Sequence, residues 1–178
     1  MSIWKFLGLG RPAAPEESRA DTNAVRRIVR ELDALPPDKA RYIATFAYIL
    51  NRVARADLAV SEVEKARMER IVVAYGALTE AQAVLVVEIA RHQGNLLGGT
   101  EDYLVTRQFK ELATPEQRQQ MLHCLFEVSA ADDSISVVEE ELIRQIATEL
   151  DFGHADYVNV RAAYSAKRAV LRNLPGSG

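Results

Sequence analysis

Four times in this chain a serine or threonine is followed three residues later by glutamate or glutamine: Ser61 to Glu64, Thr79 to Gln82, Thr114 to Gln117 and Ser136 to Glu139. Each pair heads a segment whose apolar residues recur at helical spacing. The hydroxyl of such a pair accepts from the backbone N–H three residues on, and the carboxylate or amide reaches back to the N–H of the cap. Two otherwise orphaned donors are satisfied at once, so these positions predict helix starts. No segment shows a sustained two-residue alternation of apolar and polar residues, which a half-buried strand would require. The chain is therefore expected to fold as an all-α protein.

The punctuation between the boxes completes about eight helices. The first starts near Thr22 or Asn23, carries Val25, Ile28, Val29 and Leu32, and stops before Pro36-Pro37. Pro37 suits the first turn of the second, where a missing N–H costs nothing, and that helix runs to about Ala56. The third runs from Ser61 to Gly76, which is expected to take the left-handed position that ends many helices. The fourth spans Thr79 to about His92, and Gly94, Gly98 and Gly99 mark the loop after it. The fifth runs from Thr100 to about Leu112, the sixth from Thr114 to about Ala131, and the seventh from Ser136 to Leu150. The eighth starts near His154 or Ala155 and carries Tyr157, Val158, Val160 and Tyr164. The domain is expected over residues 21–172, preceded by a flexible or docking segment, 1–20, and followed by a short tail, 173–178.

Composition narrows the function. The formal net charge of −3 argues against nucleic acid, whose binders carry a basic surplus. Cys124 is the single cysteine, so no internal disulfide framework forms. It sits in an apolar run and reads as a buried, inert thiol. His92, His123 and His154 are scattered, with no His-x-x-x-His pair and no cysteine cluster to make a zinc site. Neither a P-loop nor a dinucleotide fingerprint is present, and no catalytic residue is assigned. No run of 18 apolar residues marks a membrane span, and the N-terminal stretch is too short for a signal-peptide core, so the expected compartment is the cytoplasm. The tip bearing Trp4, Phe6, Leu7 and Leu9 is the candidate docking segment for a protein partner or for the surface of the inner membrane.

Sliding the chain by 75 residues lays Leu50–Ile71 over Leu125–Ile146, with eight of 22 positions identical: Leu50/Leu125, Val53/Val128, Ala56/Ala131, Asp57/Asp132, Ser61/Ser136, Val63/Val138, Glu64/Glu139 and Ile71/Ile146. The match centres on a helix–Asp-x-x-Val/Ile-Ser-x-Val-Glu–helix element and predicts an internal duplication. Serine and glutamate are explained by capping. The aspartate is not, because a negative charge near a helix C-terminus meets an unfavourable dipole, at about 0.3–1 kcal/mol. Turn N–H groups, the start of the next helix or a bound cation would each offset that cost.

The doubled element resembles the TerB (tellurite-resistance B) family and is also similar to the N-terminal domain of DjlA-type co-chaperones. The likeness covers roughly Pro37–Tyr164 and rests on Asp57, Val60, Ser61 and Glu64, then on Asp132, Ile135, Ser136 and Glu139. The glycine usual after the aspartate is Leu58 in the first copy and Asp133 in the second. The resemblance implies an acidic surface and a role in resistance to tellurite or related stress, without a settled molecular activity.

Asp57, Glu64, Asp132 and Glu139 are thus the candidate ligands for a divalent cation such as Ca²⁺ or Mg²⁺, whose oxygen preference they suit. Neither element is an EF-hand loop. Counting from Asp132 puts Val137 at the glycine place and Ile143 at the bidentate-glutamate place, and counting from Asp57 puts Glu62 and Met68 there. Glu139-Glu140-Glu141 reads as first-turn acids that complement a helix dipole. The expected function is a non-catalytic stress-response domain, cation-responsive through its acidic surface; the alternative is a co-chaperone-like adaptor that binds a protein without metal.

Overall fold

In the helix from Pro37 to Val53, 12 of the 17 residues are buried, and from Tyr42 onward all are except Asn51. A helix buried all round over that length has to be surrounded by others. The computed structural model, which describes residues 18–54, 62–92, 99–132 and 134–168, has this arrangement. In chain order the α-helices of the described residues are α1 (Ser18–Asp33), α2 (Pro37–Val53), α3 (Glu62–Gly76), α4 (Glu80–His92), α5 (Gly99–Leu112), α6 (Pro115–Ser129), α7 (Val137–Glu149) and α8 (His154–Ala162). Single 3-10 turns follow at Ala130–Asp132 and Ser165–Lys167. The all-α expectation is met, with eight helices in the described residues.

α2 is the axis of the bundle and touches α1, α4, α5, α6 and α7. α1 contributes Ile28 and Leu32, both fully buried, and the Arg27–Glu88 ion pair ties it to α4. Phe109 of α5 meets Tyr42 and Phe46 of α2 at ring-centroid distances of 5.2 and 6.0 Å. α3 lies mainly against α4 and α6 and meets α2 at its last residue, Gly76, while α7 packs on α2, α5 and α6. Tyr164 stacks on Phe126 at 4.9 Å, closing the bundle at its C-terminal side. Tyr164 is not helical, because α8 stops at Ala162 and the chain turns there.

Three of the four sequence boxes form as drawn. Thr79 with Gln82, Thr114 with Gln117 and Ser136 with Glu139 exchange both hydrogen bonds. Ser61 lies outside the described residues, and Glu64 is exposed in the first turn of α3. The loop at Gly94 and Gly98 also lies outside them.

Gly76 serves packing, not the turn. It is the last residue of α3, and the left-handed conformation falls on Ala77, at φ 51°. A Cβ on Gly76 would stand 2.9 Å from Cζ of the fully buried Phe46. Glycine is used here because two elements approach too closely for a side chain, and the conformational penalty moves to an alanine. At the end of α7 Asp151 takes the left-handed place, φ 66°. The N–H of Phe152 then reaches Ala147 O at 2.9 Å and that of Asp151 reaches Thr148 O at 3.1 Å, the paired bonds of a Schellman ending. Lys110 Nζ sits 2.9 Å from the Asp151 carboxylate.

The two neighbours should respond oppositely. Gly76→Ala forces Phe46 to shift and should destabilise by about 1–3 kcal/mol. Ala77→Gly relieves the left-handed strain and should stabilise by about 0.5–1 kcal/mol. Urea unfolding of both variants checks this, and a stabilising Gly76→Ala would contradict the packing role.

Candidate functional site

The second Asp–Glu junction is the better described. α6 ends at Ser129 and runs into the 3-10 turn that contains the backbone of Asp132. Ile135, fully buried, donates its N–H to Lys167 O at 2.7 Å and forms an isolated parallel bridge with Arg168. The C-terminal segment therefore lies along the junction, the one β-type pairing among the described residues. Ser136 N–H donates to Glu139 Oε2 at 2.8 Å, and Ser136 Oγ accepts from Glu139 N–H at 3.2 Å.

The three consecutive glutamates do three different things. Glu139 caps α7, Glu140 accepts from Arg168 Nε at 2.7 Å and from Arg161 Nη1 at 3.3 Å, and Glu141 pairs with Arg144. Sequence reasoning missed Glu140, because its partners lie 21 and 28 residues downstream and nothing local marks them. Of the four candidate cation ligands, Glu139 is placed in the cap and Glu64 on the exposed head of α3. Asp57 lies outside the described residues, as do the tip residues Trp4, Phe6, Leu7 and Leu9, and only the backbone of Asp132 is described. Among the described residues no group of three or more His, Cys, Asp or Glu side chains could hold a metal. Val63, beside Glu64, and Val138, beside the capping Glu139, are exposed, at 76% and 78%.

A second charged group lies inside the bundle. Arg52, on the last turn of α2, is 4% exposed. Its Nη1 donates to Thr106 Oγ1 and to Glu149 Oε2, both at 2.7 Å, and its Nη2 donates to Glu149 Oε1 at 3.2 Å. Asp102 stands 3.7 Å from Nε as an ion pair and accepts from Tyr48 Oη at 2.6 Å. Burial alone would push the Glu149 carboxyl up. The hydrogen bonds and charge of Arg52, with help from Thr106 and Gln145, outweigh burial and hold it below the ordinary range. This guanidinium joins α2 to α5 and α7. Its sequence signal is spacing: Asp38, Arg41, Thr45, Tyr48 and Arg52 recur as one polar helical stripe in an otherwise mostly apolar helix.

A third feature is a recess of about 260 Å³ lined by Gln119, His123, Phe152, Asp156, Asn159 and Val160. His123 Nδ1 is 3.2 Å from Tyr164 Oη. Burial lowers the His123 pKa, against a smaller upward pull from Glu127. Cys124, one residue on, faces the core instead, and burial pushes its thiol up to about 12, as an inert packing cysteine requires.

The family model described as tellurite resistance protein TerB matches residues 42–162. The chain belongs to the TerB family. No curated protein and no solved structure matches it. The span shared with TerB runs from Tyr42, early in α2, to Ala162, the last residue of α8. It includes both Asp–Glu junctions, Arg52 and its partners. The α1 helix and the segment bearing Tyr164 and Arg168 lie beyond it, so the strand-like closure of the second junction is contributed from outside the TerB match.

Arg52 gives a pair of expectations. Arg52→Met leaves Glu149 and Asp102 without their counter-charge and should cost about 3–5 kcal/mol. Because the folded state holds Glu149 below its ordinary range, its contribution is present above the unfolded pKa and is lost as pH falls through the folded one. Thermal melts from pH 7 to 3 should therefore fall steeply below about pH 4.5. Glu149→Gln should flatten that fall, and an unchanged acid limb would remove Glu149 from the account.

Proposed function

We propose that this chain is a non-catalytic binding domain of a tellurite-resistance type of stress response, and that it docks a protein partner on the heads of α3 and α7. The observation that carries this reading is the exposure of Val63 and Val138, each about three-quarters open in the first turn of its helix and next to a glutamate. Apolar side chains held at a helix start, rimmed by polar groups, suit a partner surface that is apolar at its centre and polar around it. The acids of the second junction are engaged within the chain by Ser136, Arg144, Arg161 and Arg168. That favours a docking role over a dedicated cation cage. The apolar tip at Trp4, Phe6, Leu7 and Leu9 adds a second attachment in this reading, with the cytoplasm, or the inner-membrane surface facing it, as the setting.

A cation-responsive surface is the second reading. The cap uses one oxygen of Glu139, and a carboxylate has a second oxygen to offer a hard cation. Affinity capture with the full chain and with a Val63→Ser, Val138→Ser variant separates the two. The variant should keep its stability within about 0.5 kcal/mol and lose the captured partner; an unchanged captured set would sink the docking proposal. Millimolar Ca²⁺ or Mg²⁺ should leave the melting temperature unmoved. A rise that disappears in an Asp57→Ala, Asp132→Ala variant would replace docking by the cation reading.

A further inference from the structure

The recess between α6 and the head of α8 has the size and chemistry for one organic cation. At about 260 Å³ it is far roomier than a bare ion requires. It falls just below the range of about 300–1,000 Å³ typical of sites for drug-sized ligands. Its strong metal donors are two, His123 and Asp156, and no group of three or more such residues that could hold an ion occurs in the described residues. The space therefore fits the end of a side chain better than a metal.

The lining selects its charge. Asp156 is the carboxylate of the wall, Gln119 and Asn159 add side-chain amides, and neither lysine nor arginine lines the recess. An anion would find no counter-charge there. Phe152 and Val160 supply an aromatic ring and an aliphatic surface, which suit a planar cation and a methylene stem. His123 adds an uncharged side at neutral pH, since burial disfavours its protonated form and Nδ1 lies within reach of Tyr164 Oη. Asp156 is the third residue of α8, and its carboxylate lies back over the helix start. A Cβ on Gly153 would come within 3.3 Å of its Oδ2.

We infer that this recess binds a guanidinium group, forked onto Asp156 with its plane against Phe152. A guanidinium combines a flat face for the ring with paired N–H donors for a carboxylate, whereas an ammonium offers a point charge and no face. The inference rests on the binding-domain reading only for the source of the group, an arginine side chain of the docked partner. A free alkylguanidine has the same chemistry.

The test is a chemical-shift titration of the isotope-labelled full chain with three probes: acetyl-arginine amide, agmatine and the neutral isostere acetyl-citrulline amide. The arginine amide should move the amide signals of Gln119–His123 and Phe152–Val160, saturating with a Kd of about 1 mM or tighter. Acetyl-citrulline amide should bind at least tenfold more weakly. Asp156→Asn, an exposed and conservative change, should weaken the arginine amide at least tenfold while leaving the rest of the spectrum in place. The inference is overturned if neither guanidinium probe shifts these residues, if citrulline matches arginine, or if Asp156→Asn binds as tightly as the parent chain. Binding of agmatine without the arginine amide would keep the recess as a guanidinium site and assign it to a free small cation. Loss of partner capture in the valine variant, with arginine binding intact, keeps the two proposals separately testable.

Discussion

Burial of α2 on all sides from Tyr42 onward is the constraint from which the rest of the architecture follows. A helix that exposes no face can be stable only when other helices remove its surface from water, and each of these must bring an apolar stripe to the meeting point. α1, α4, α5, α6 and α7 do so with Ile28, Val86, Phe109, Leu122 and Ile146 among others. Close packing then reaches outward. Phe46 fills the centre so completely that the end of α3 needs a glycine beside it, and the left-handed turn passes to Ala77.

Into this apolar centre the chain places one guanidinium. Arg52 lies where α2, α5 and α7 converge, and its donors are divided between Thr106 and Glu149 while Asp102 balances its charge. A buried ion pair adds little net stability compared with well-packed apolar side chains, but an incomplete one is costly. The pairing accordingly acts as a register mark: only the arrangement that brings Glu149 and Asp102 to Arg52 avoids a stranded charge. The same logic operates nearer the surface. Glu140 meets Arg161 and Arg168, and that pairing, with the Ile135–Arg168 bridge, holds the C-terminal segment along the second junction.

The candidate surfaces differ in how the fold produces them. The heads of α3 and α7 follow from local sequence: in α7 the capping pair Ser136 and Glu139 leaves Val138 between them exposed, and Val63 is equally exposed at the second position of α3. The recess follows from tertiary packing. Gln119 and His123 come from α6, Asp156, Asn159 and Val160 from α8, and Phe152 from the turn that the Schellman ending of α7 creates. No stretch of sequence contains that constellation, and its residues are individually unremarkable for a helical protein.

What the sequence determined by itself is the set of helices, the three starts marked by capping boxes at Thr79, Thr114 and Ser136, and the family. Capping boxes and helical periodicity are short-range physics, resolved within four residues, so Thr79, Thr114 and Ser136 could be read directly as helix heads. The doubled Asp–Ser–Glu element was sufficient for the resemblance to TerB. Only the tertiary structure decided which helix lies at the centre, that Arg52 and Glu149 are partners 97 positions apart, that Glu140 restrains the C-terminal segment, and that Gly76 is a packing glycine. These depend on long-range contacts, and a charge or a glycine in a sequence does not reveal whether water, a counter-charge or a phenyl ring will stand beside it.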